Sequence, residues 1–323
     1  MGDGENGHAW QGGILWAREL AGMQFAPVDW LIDGVLPTGL GMLAGKSKIG
    51  KSWMVLQIAL AVASGRPFAG ISTRQACVLY LALEDNARRL QDRINKQLAG
   101  QETPETLAMF VEWVNVDNGC LERIQECLDA NPDMRLVIID TFGKVRGRPD
   151  GKTSVYQQDY QDMTAFKQLA DQRRISILLV HHTRKQDASD ALDLVSGSTG
   201  IVGAADTIMV LTRKRGASEG KLLVTGRDIK DDVEQAARFS KETGLWELLG
   251  PADEITRTDI AHKIRNFLAN SKAPMSVTEI ADALSQSFHT TRSCLNRNPD
   301  AAFEKLSRGL WGIKGRMYAQ PHN

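Results

Sequence analysis

A short stretch with two glycines, residues 45–52, has the residue types that bind phosphate groups. It reads Gly-Lys-Ser-Lys-Ile-Gly-Lys-Ser and matches the pattern G-x-x-x-x-G-K-[ST] at every defined position. In this pattern backbone N–H groups point at a polyphosphate, Lys51 reaches the β- and γ-phosphates, and the hydroxyl of Ser52 holds Mg²⁺. The predicted nucleotide contacts are Gly45, Lys46, Ser47, Lys48, Ile49, Gly50, Lys51, Ser52 and Trp53.

The residues around this phosphate loop predict the elements that would hold it. Residues 40–44 are apolar, as in a short buried strand, and residues 53–63 have the length and the apolar face of a helix. A helix that begins directly after the turn adds its positive N-terminus to the phosphate site. A chance match in a glycine-rich loop is the alternative, but it would not explain both flanking elements.

Two further apolar runs end in carboxylates. Residues 76–83 lead to Glu84 and Asp85, and residues 136–139 lead to Asp140. Unbroken apolar runs are typical of parallel strands buried on both faces, and ligands bind at the carboxyl ends of such strands. We therefore expect Glu84 to take part in chemistry, Asp85 to cap the next helix, and Asp140 to hold Mg²⁺.

A third apolar run, residues 175–180, ends in His181 and His182. Adjacent side chains of a strand point to opposite faces, so only one of these histidines can face the nucleotide. The other is expected to pack against the body of the protein.

Basic residues follow two of these strand ends. Arg146 and Arg148 lie among glycines in residues 143–153, and Arg184 and Lys185 follow the histidines directly. Cations in flexible loops suit contact with the phosphates of a nucleic acid. A loop that is only solvated is the alternative.

Length and composition predict two domains in a protein without a membrane span. The chain has 323 residues, 42% of them hydrophobic and 24% charged, and no apolar run is long enough to cross a bilayer. Its four cysteines form no C-x-x-C pair, which favours reduced thiols and a cytoplasmic location. We expect a flexible tail at residues 1–24, a large domain at 25–250, a linker at 251–253 and a small domain at 255–318.

The small domain is basic within a chain of zero net charge. From residue 255 onward ten Lys and Arg stand against five Asp and Glu, a net charge of +5. The order of its predicted elements is typical of a winged helix-turn-helix. A first helix is indicated by helical periodicity at 255–268, a second by a capping box at 276–279, and a third is expected at 290–298, followed by a hairpin. Its groove-facing residues would be Thr291, Arg292, Asn296 and Arg297. Such modules also serve in protein contact, which is the alternative to binding duplex DNA.

Five features follow one another along the chain in a fixed order. They are the phosphate loop, the Glu-Asp strand end, the strand ending at Asp140, the His-His strand end and the Gly-Ser-Thr at 197–199. Together they resemble the RecA-like ATPase core of the RepA-type hexameric helicases that replicate plasmids and phages. The resemblance covers residues 25–250. It implies an α/β fold with a mostly parallel central sheet. The predicted C-terminal winged helix departs from the compact members of that family, and no primase domain is evident.

The resemblance also implies a role for each site residue, with ATP and Mg²⁺ as ligands. Glu84 would orient the attacking water, Asp140 would hold Mg²⁺ through water, and His182 would sense the γ-phosphate. A neighbouring subunit of a ring, expected to be a hexamer, would supply an arginine finger, for which Arg227 is the first choice and Lys230 or Arg215 the alternatives. The basic loops would line a channel for single-stranded DNA; their residues are Arg146, Arg148, Arg184 and Lys185.

Three functions therefore remain open at the level of sequence. The first is a ring-forming, DNA-dependent ATPase that serves the replication of a plasmid, phage or integrated element. The second is a recombination or annealing accessory ATPase that binds strands without unwinding them. The third is a regulator in which ATP controls assembly and the winged helix binds DNA.

Overall fold

The computed structural model describes residues 15–148, 154–183, 195, 203–271, 273–297, 302–307 and 309–316. Within them, a nine-stranded sheet forms the centre of the molecule, with strand order β11-β10-β9-β8-β3-β7-β6-β4-β5. Its strands are β3 Gly39–Gly45, β4 Cys77–Ala82, β5 Leu107–Phe110, β6 Met134–Asp140, β7 Ser176–His182, β8 Thr207–Arg213, β9 Glu219–Gly226, β10 Val233–Phe239 and β11 Trp246–Pro251. A two-stranded hairpin, β1 Trp30–Ile32 and β2 Leu36–Pro37, precedes it.

The sheet has a parallel part and an antiparallel part. Strands β5, β4, β6, β7, β3 and β8 pair in parallel. Strands β9, β10 and β11 extend the sheet beyond β8 in antiparallel order. The prediction of a mostly parallel central sheet is confirmed. The sequence of β10 gives little strand signal, because most of its residues are polar or exposed.

Helices cover both faces of the parallel strands, which explains their unbroken apolar sequences. One core lies beneath α2 Lys51–Ser64 and α3 Ala87–Leu98. The other lies beneath α4 Cys120–Ala130 and α6 Val155–Arg173, with the short α5 Phe142–Val145 beside it. At the N-terminus, α1 Ala17–Gly22 buries none of its residues. No helix of the described chain is both long and apolar enough to cross a membrane.

The C-terminal unit, residues 252–316, has a core of its own. It consists of α7 Ala252–Asn270, β12 Met275–Ser276, α8 Val277–Ala283, α9 Phe288–Arg297, β13 Phe303–Ser307 and β14 Leu310–Ile313. The three strands form a small antiparallel sheet, and the core contains Ile264, Leu268, Ile280 and Leu295. The predicted capping box is present: Ser276 accepts from the backbone of Glu279, and Glu279 accepts from that of Ser276.

The predicted linker at residues 251–253 is wrong. Strand β11 runs to Pro251, which is itself the N-cap of α7, and Ala252 is buried. Proline suits this position because β11 is an edge strand, where a missing N–H removes no ladder hydrogen bond. The same residue that indicated a linker therefore ends a strand and begins a helix.

Candidate nucleotide site

The phosphate loop connects the end of β3 to the start of α2, as predicted. Gly50 adopts a left-handed conformation, with φ of 103°, and a Cβ built there would lie 3.0 Å from the ring of Trp246. Glycine is required for both reasons. The side chains of Lys46, Ser47 and Lys48 are exposed, so this side of the loop is open to a ligand.

A tryptophan from the antiparallel part of the sheet supports the loop from behind. The indole N–H of Trp246 donates to the carbonyl oxygen of Gly50 at 3.1 Å. The backbone of Trp246 exchanges two hydrogen bonds with the side-chain amide of Gln57, at 2.8 and 2.9 Å. Sequence reasoning missed this support. The feature that could have indicated this support is Gln57, a buried polar residue within an otherwise apolar helix face.

Lys51 lies folded back on the loop. Its ammonium donates to the carbonyl oxygens of Gly45 at 2.7 Å and Lys46 at 2.9 Å, and it lies 2.9 Å from Nδ1 of His182. Burial lowers the pKa of Lys51 to about 8, against the opposing effect of two nearby carboxylates. A bound polyphosphate would favour the charged ammonium and replace these contacts.

His182 joins Lys51 to Glu84. With Nδ1 accepting from the ammonium, the other ring nitrogen carries the proton and donates to Oε1 of Glu84 at 3.2 Å; this tautomer follows from the partners. The buried hydroxyl of Thr141 donates to the same Glu84 oxygen, also at 3.2 Å. The side chain of Glu84 is 41% exposed, so it can reach a water molecule while two donors hold it.

Asp140 is buried beside the first turn of α2. The phenol of Tyr80 donates to its Oδ2 at 3.2 Å, whereas Oδ1 is buried and has no hydrogen-bond partner among the described residues. Burial raises the pKa of Asp140, and the hydroxyl of Ser52 opposes that effect. An unpartnered carboxylate oxygen close to a serine hydroxyl suits a hard divalent cation, so these two residues fit Mg²⁺.

His181, adjacent to His182, occupies the opposite face of β7. Its ring packs against Phe142 with centroids 6.4 Å apart, and burial lowers its pKa to about 4. The expectation that one histidine faces the nucleotide edge while the other packs agrees with these contacts.

Two predicted residues have other local roles. Asn86, not Asp85, caps α3 by accepting from the backbone of Arg89 at 2.9 Å. Asp85 instead pairs with the side chains of Arg89 and Arg93. Asp and Asn both serve as helix N-caps, and here the N-cap is Asn86.

The side chain of Trp53 faces away from the phosphate loop. It packs against Phe239, with ring centroids 6.0 Å apart, and under the guanidinium of Arg93. Only its backbone N–H, in the first turn of α2, therefore remains a candidate for phosphate contact.

Arg227 lies at the sheet edge opposite to the phosphate loop. It follows β9, whose last residue pairs with Thr207, the first residue of β8. Its guanidinium donates to Asp206 at 3.2 Å, and Asp206 also binds the ammonium of Lys167 at 2.8 Å. Arg227 therefore does not contact the nucleotide site of its own chain.

The predicted DNA-binding residues are only partly described. Arg146 pairs with the buried Asp159 on α6 at 3.2 Å, and Arg148 is exposed. Arg184, Lys185 and the Gly-Ser-Thr at 197–199 lie outside the described residues.

On α9, three of the four residues of the predicted groove face are exposed to solvent. These are Arg292, Asn296 and Arg297. Thr291 is fully buried, so that part of the prediction is wrong; it lies within one helical turn of the core residues Cys294 and Leu295.

Solved structures with the same fold include an ATPase domain, with 15% identity and a TM-score of 0.54 over 66% of this chain and 85% of the other. A DnaB-like replicative helicase, described with its interactions with primase, gives 14% identity and a TM-score of 0.54 over 65% of this chain and 57% of its own length. The RadB recombinase has 14% identity and a TM-score of 0.46, over 66% of this chain and 91% of its own length. At these identities the first two show the fold alone, a RecA-like core with a largely parallel sheet.

The chain matches no curated protein sequence. Residues 11–188 match the family model AAA_25, described as an AAA domain. This match spans more than half of the chain and includes the phosphate loop, Glu84, Asp140 and His182. The protein therefore belongs to the AAA domain family, with a RecA-like P-loop ATPase core.

Proposed function

We propose that this protein is a ring-forming, DNA-dependent ATPase that acts as a helicase or translocase in the replication of a plasmid, phage or integrated element. The observation that carries the proposal is the chain of contacts from Lys51 through His182 to Glu84. It links a phosphate-binding ammonium to a carboxylate that can position water. The likeness in fold to a DnaB-like replicative helicase supports the same function.

Hydrolysis would use these residues in distinct roles. Lys51 would neutralise charge that develops on the γ-phosphoryl group, while Glu84, held by Thr141, orients the attacking water. Once Lys51 contacts phosphate, Nδ1 of His182 loses its present donor. His182 would then respond to the presence of the γ-phosphate and pass that state to Glu84 through its second nitrogen.

Ser52 and Asp140 would hold Mg²⁺ next to the phosphates. The bound ion supplies positive charge that polarises the phosphoryl oxygens. The buried, unpartnered Oδ1 of Asp140 supports this assignment.

The placement of two surfaces supports the proposal of a ring. The phosphate loop lies at the carboxyl edge of β3, and Arg227 lies at the opposite edge, near the start of β8. A head-to-tail contact between subunits joins two different surfaces and can close into a ring. Arg227 would then reach the neighbour's nucleotide, with Lys230 and Arg215 as alternatives, and six subunits would complete the ring.

DNA would pass through the centre of the ring. Arg146 and Arg148 follow the strand that carries Asp140, and Arg184 and Lys185 follow the strand that carries His182. Single-stranded DNA held by its phosphates would therefore move when hydrolysis rearranges these strand ends. This arrangement would couple the nucleotide site to the bound single-stranded DNA.

A second candidate function rests on the C-terminal unit. Its order of helix, strand, two helices and hairpin suits a winged helix-turn-helix, with Arg292, Asn296 and Arg297 exposed on its third helix. The protein would then be an ATP-controlled regulator that binds duplex DNA and does not unwind it. Under this function residues 255–318 form the DNA-binding domain and residues 25–250 the ATPase domain.

Steady-state ATP hydrolysis separates these functions when measured alone, with single-stranded DNA and with duplex, using Lys51→Ala as the blank. Stimulation of about tenfold or more by single strands, followed by unwinding of a forked duplex, would support the helicase. Stimulation without unwinding would favour the recombination or annealing accessory ATPase. ATP binding with no stimulation by either DNA, together with specific duplex binding, would favour the regulator.

A further inference from the structure

Asp206, the residue directly before β8, binds donors from three separate parts of the fold. Its Oδ2 accepts from the backbone N–H of Leu40 at 2.9 Å, and both of its oxygens lie 2.8 Å from the ammonium of Lys167 on α6. Its Oδ1 also accepts from the guanidinium of Arg227 at 3.2 Å. Only 12% of the Asp206 side chain is exposed. A carboxylate that is largely buried and fully paired in this way is held in one position.

Two glycines leave the space that this arrangement needs. A Cβ built at Gly39 would lie 2.8 Å from Oδ2 of Asp206, and a Cβ built at Gly226 would lie 2.6 Å from its carbonyl oxygen. Gly226 directly precedes Arg227, whose backbone N–H donates to the same carbonyl oxygen at 2.9 Å. Arg227 is therefore bound to Asp206 through its backbone as well as through its side chain, and the approach depends on glycine.

These contacts use only part of the Arg227 guanidinium. Nη1 donates to Asp206, and Nη2 donates to the carbonyl oxygen of Gly203 at 3.1 Å. A guanidinium has more N–H donors than these contacts occupy, and the Arg227 side chain is 59% exposed. One part of the group is thus held by its own chain while another part can contact an acceptor that arrives from outside.

A held arginine suits contact with a phosphate better than a freely moving one. Fixing an exposed arginine side chain on a ligand costs conformational entropy, and less is lost when the side chain is already restricted. The negative charge of Asp206 alone would weaken the attraction of Arg227 for an anion. Lys167, which contacts both oxygens of that carboxylate, offsets this effect.

We propose that Asp206 is a positioning residue for Arg227 and holds it ready to contact the γ-phosphate bound by a neighbouring subunit. This inference rests on the proposed ring and deepens it, because it assigns the preparation of the arginine finger to a carboxylate that does not itself contact the nucleotide. The alternative is that Asp206 serves only to fix Leu40, near the start of the strand that leads to the phosphate loop of its own chain.

The first test is Asp206→Asn, which keeps the shape of the side chain and an acceptor for Leu40 but removes the charge that holds Arg227. The kcat for ATP in the presence of single-stranded DNA should fall about 10- to 100-fold, with KM within about threefold of wild type. Asp171→Asn is the matched control, because Asp171 pairs with Lys167 at 3.3 Å; its kcat should stay within about twofold of wild type. A change in KM alone, or an equal loss of kcat in Asp171→Asn, would overturn the positioning role.

A double variant tests whether Asp206 acts through Arg227. Arg227→Ala should lower kcat by about 1,000-fold. Adding Asp206→Asn to it should cost nothing further, since the residue that Asp206 positions is already gone. Multiplied losses in the double variant would show that Asp206 acts independently of Arg227.

A second variant covers the case in which Asp206→Asn fails to fold. Arg227→Lys changes an exposed side chain, so the fold should persist. Its ammonium is a single point of charge and lacks the planar fork that spans Asp206, Gly203 and a phosphate. We expect kcat to fall at least about tenfold. A wild-type rate in Arg227→Lys would overturn the inference.

The closing experiment measures hydrolysis by equimolar mixtures of full-length variants. In a ring, Lys51→Ala and Arg227→Ala damage opposite faces of a subunit, so their random mixture should contain about a quarter of intact interfaces and recover activity accordingly. Asp206→Asn should recover with Lys51→Ala but not with Arg227→Ala, because it damages the same face as Arg227→Ala. Recovery with Arg227→Ala, or with neither variant, would overturn the positioning role.

The mixture of Lys51→Ala with Arg227→Ala separates this inference from the proposed function. No recovery in that mixture would reject a site shared between subunits, and the proposed ring with it. Recovery there, combined with the wrong partner for Asp206→Asn, would keep the ring and reject the positioning role alone.

Discussion

The ammonium of Lys51 lies 2.9 Å from Nδ1 of His182, and the opposite nitrogen of the same ring lies 3.2 Å from Glu84. One imidazole thus bridges the residue expected to bind phosphate and the residue expected to position water. Lys51 cannot keep all of its present contacts and also bind a triphosphate. Nucleotide binding should therefore change the surroundings of Glu84 before any bond is broken.

The pKa of Lys51 predicts proton uptake when ATP binds. Because burial lowers this pKa to about 8, Lys51 is about half protonated at pH 8, and phosphate contact should restore full charge. Binding at pH 8 should take up about half a proton per ATP, measured by calorimetry in buffers of different ionisation enthalpy. At pH 6.5 this uptake should vanish because Lys51 is already charged. The absence of uptake at pH 8 would show that Lys51 does not bind the phosphates.

The two adjacent histidines predict opposite outcomes for the same substitution. His182→Leu removes the bridge to Glu84 and should lower kcat by about 100-fold, with ATP affinity changed by less than about fivefold. His181→Leu is the matched control, because His181 packs against Phe142 on the other face; its kcat should stay within about threefold of wild type. Steady-state hydrolysis and equilibrium ATP binding check both variants. Equal losses of kcat would refute the assignment of His182 to the site.

Thr141 is predicted to position Glu84. Thr141→Val keeps the shape of the side chain but removes the donor at 3.2 Å, so kcat should fall about tenfold while KM stays nearly constant. Thr141→Ser keeps the hydroxyl and should restore kcat to within about twofold of wild type. A change in KM alone, or failure of serine to restore kcat, would indicate a structural role.

Local sequence patterns were sufficient to predict the centre of the site. The phosphate loop, the strand end at Asp140 and the pair of histidines each carry their signal within a few residues. Because the strands are parallel, their carboxyl ends meet at one edge of the sheet, so no knowledge of the strand order is needed to group these residues. The contacts of Lys51, His182 and Glu84 in the structure agree with that interpretation.

The supporting contacts could not be predicted in the same way. Trp246 and Gln57 are 189 residues apart and meet only because β11 extends the antiparallel part of the sheet. Arg213 likewise finds its aromatic partners on two other strands. Such pairs leave no local pattern, because their register depends on the complete strand order.

The most direct test of the account is the effect of Glu84→Gln on ATP turnover and ATP binding. Glutamine keeps the size of the side chain, but its neutral amide cannot polarise water as the carboxylate does. The account predicts at least about a 1,000-fold loss of turnover, with ATP affinity within about threefold of wild type. Turnover close to the wild-type rate would contradict the account, because Glu84 would then not be the residue that activates water.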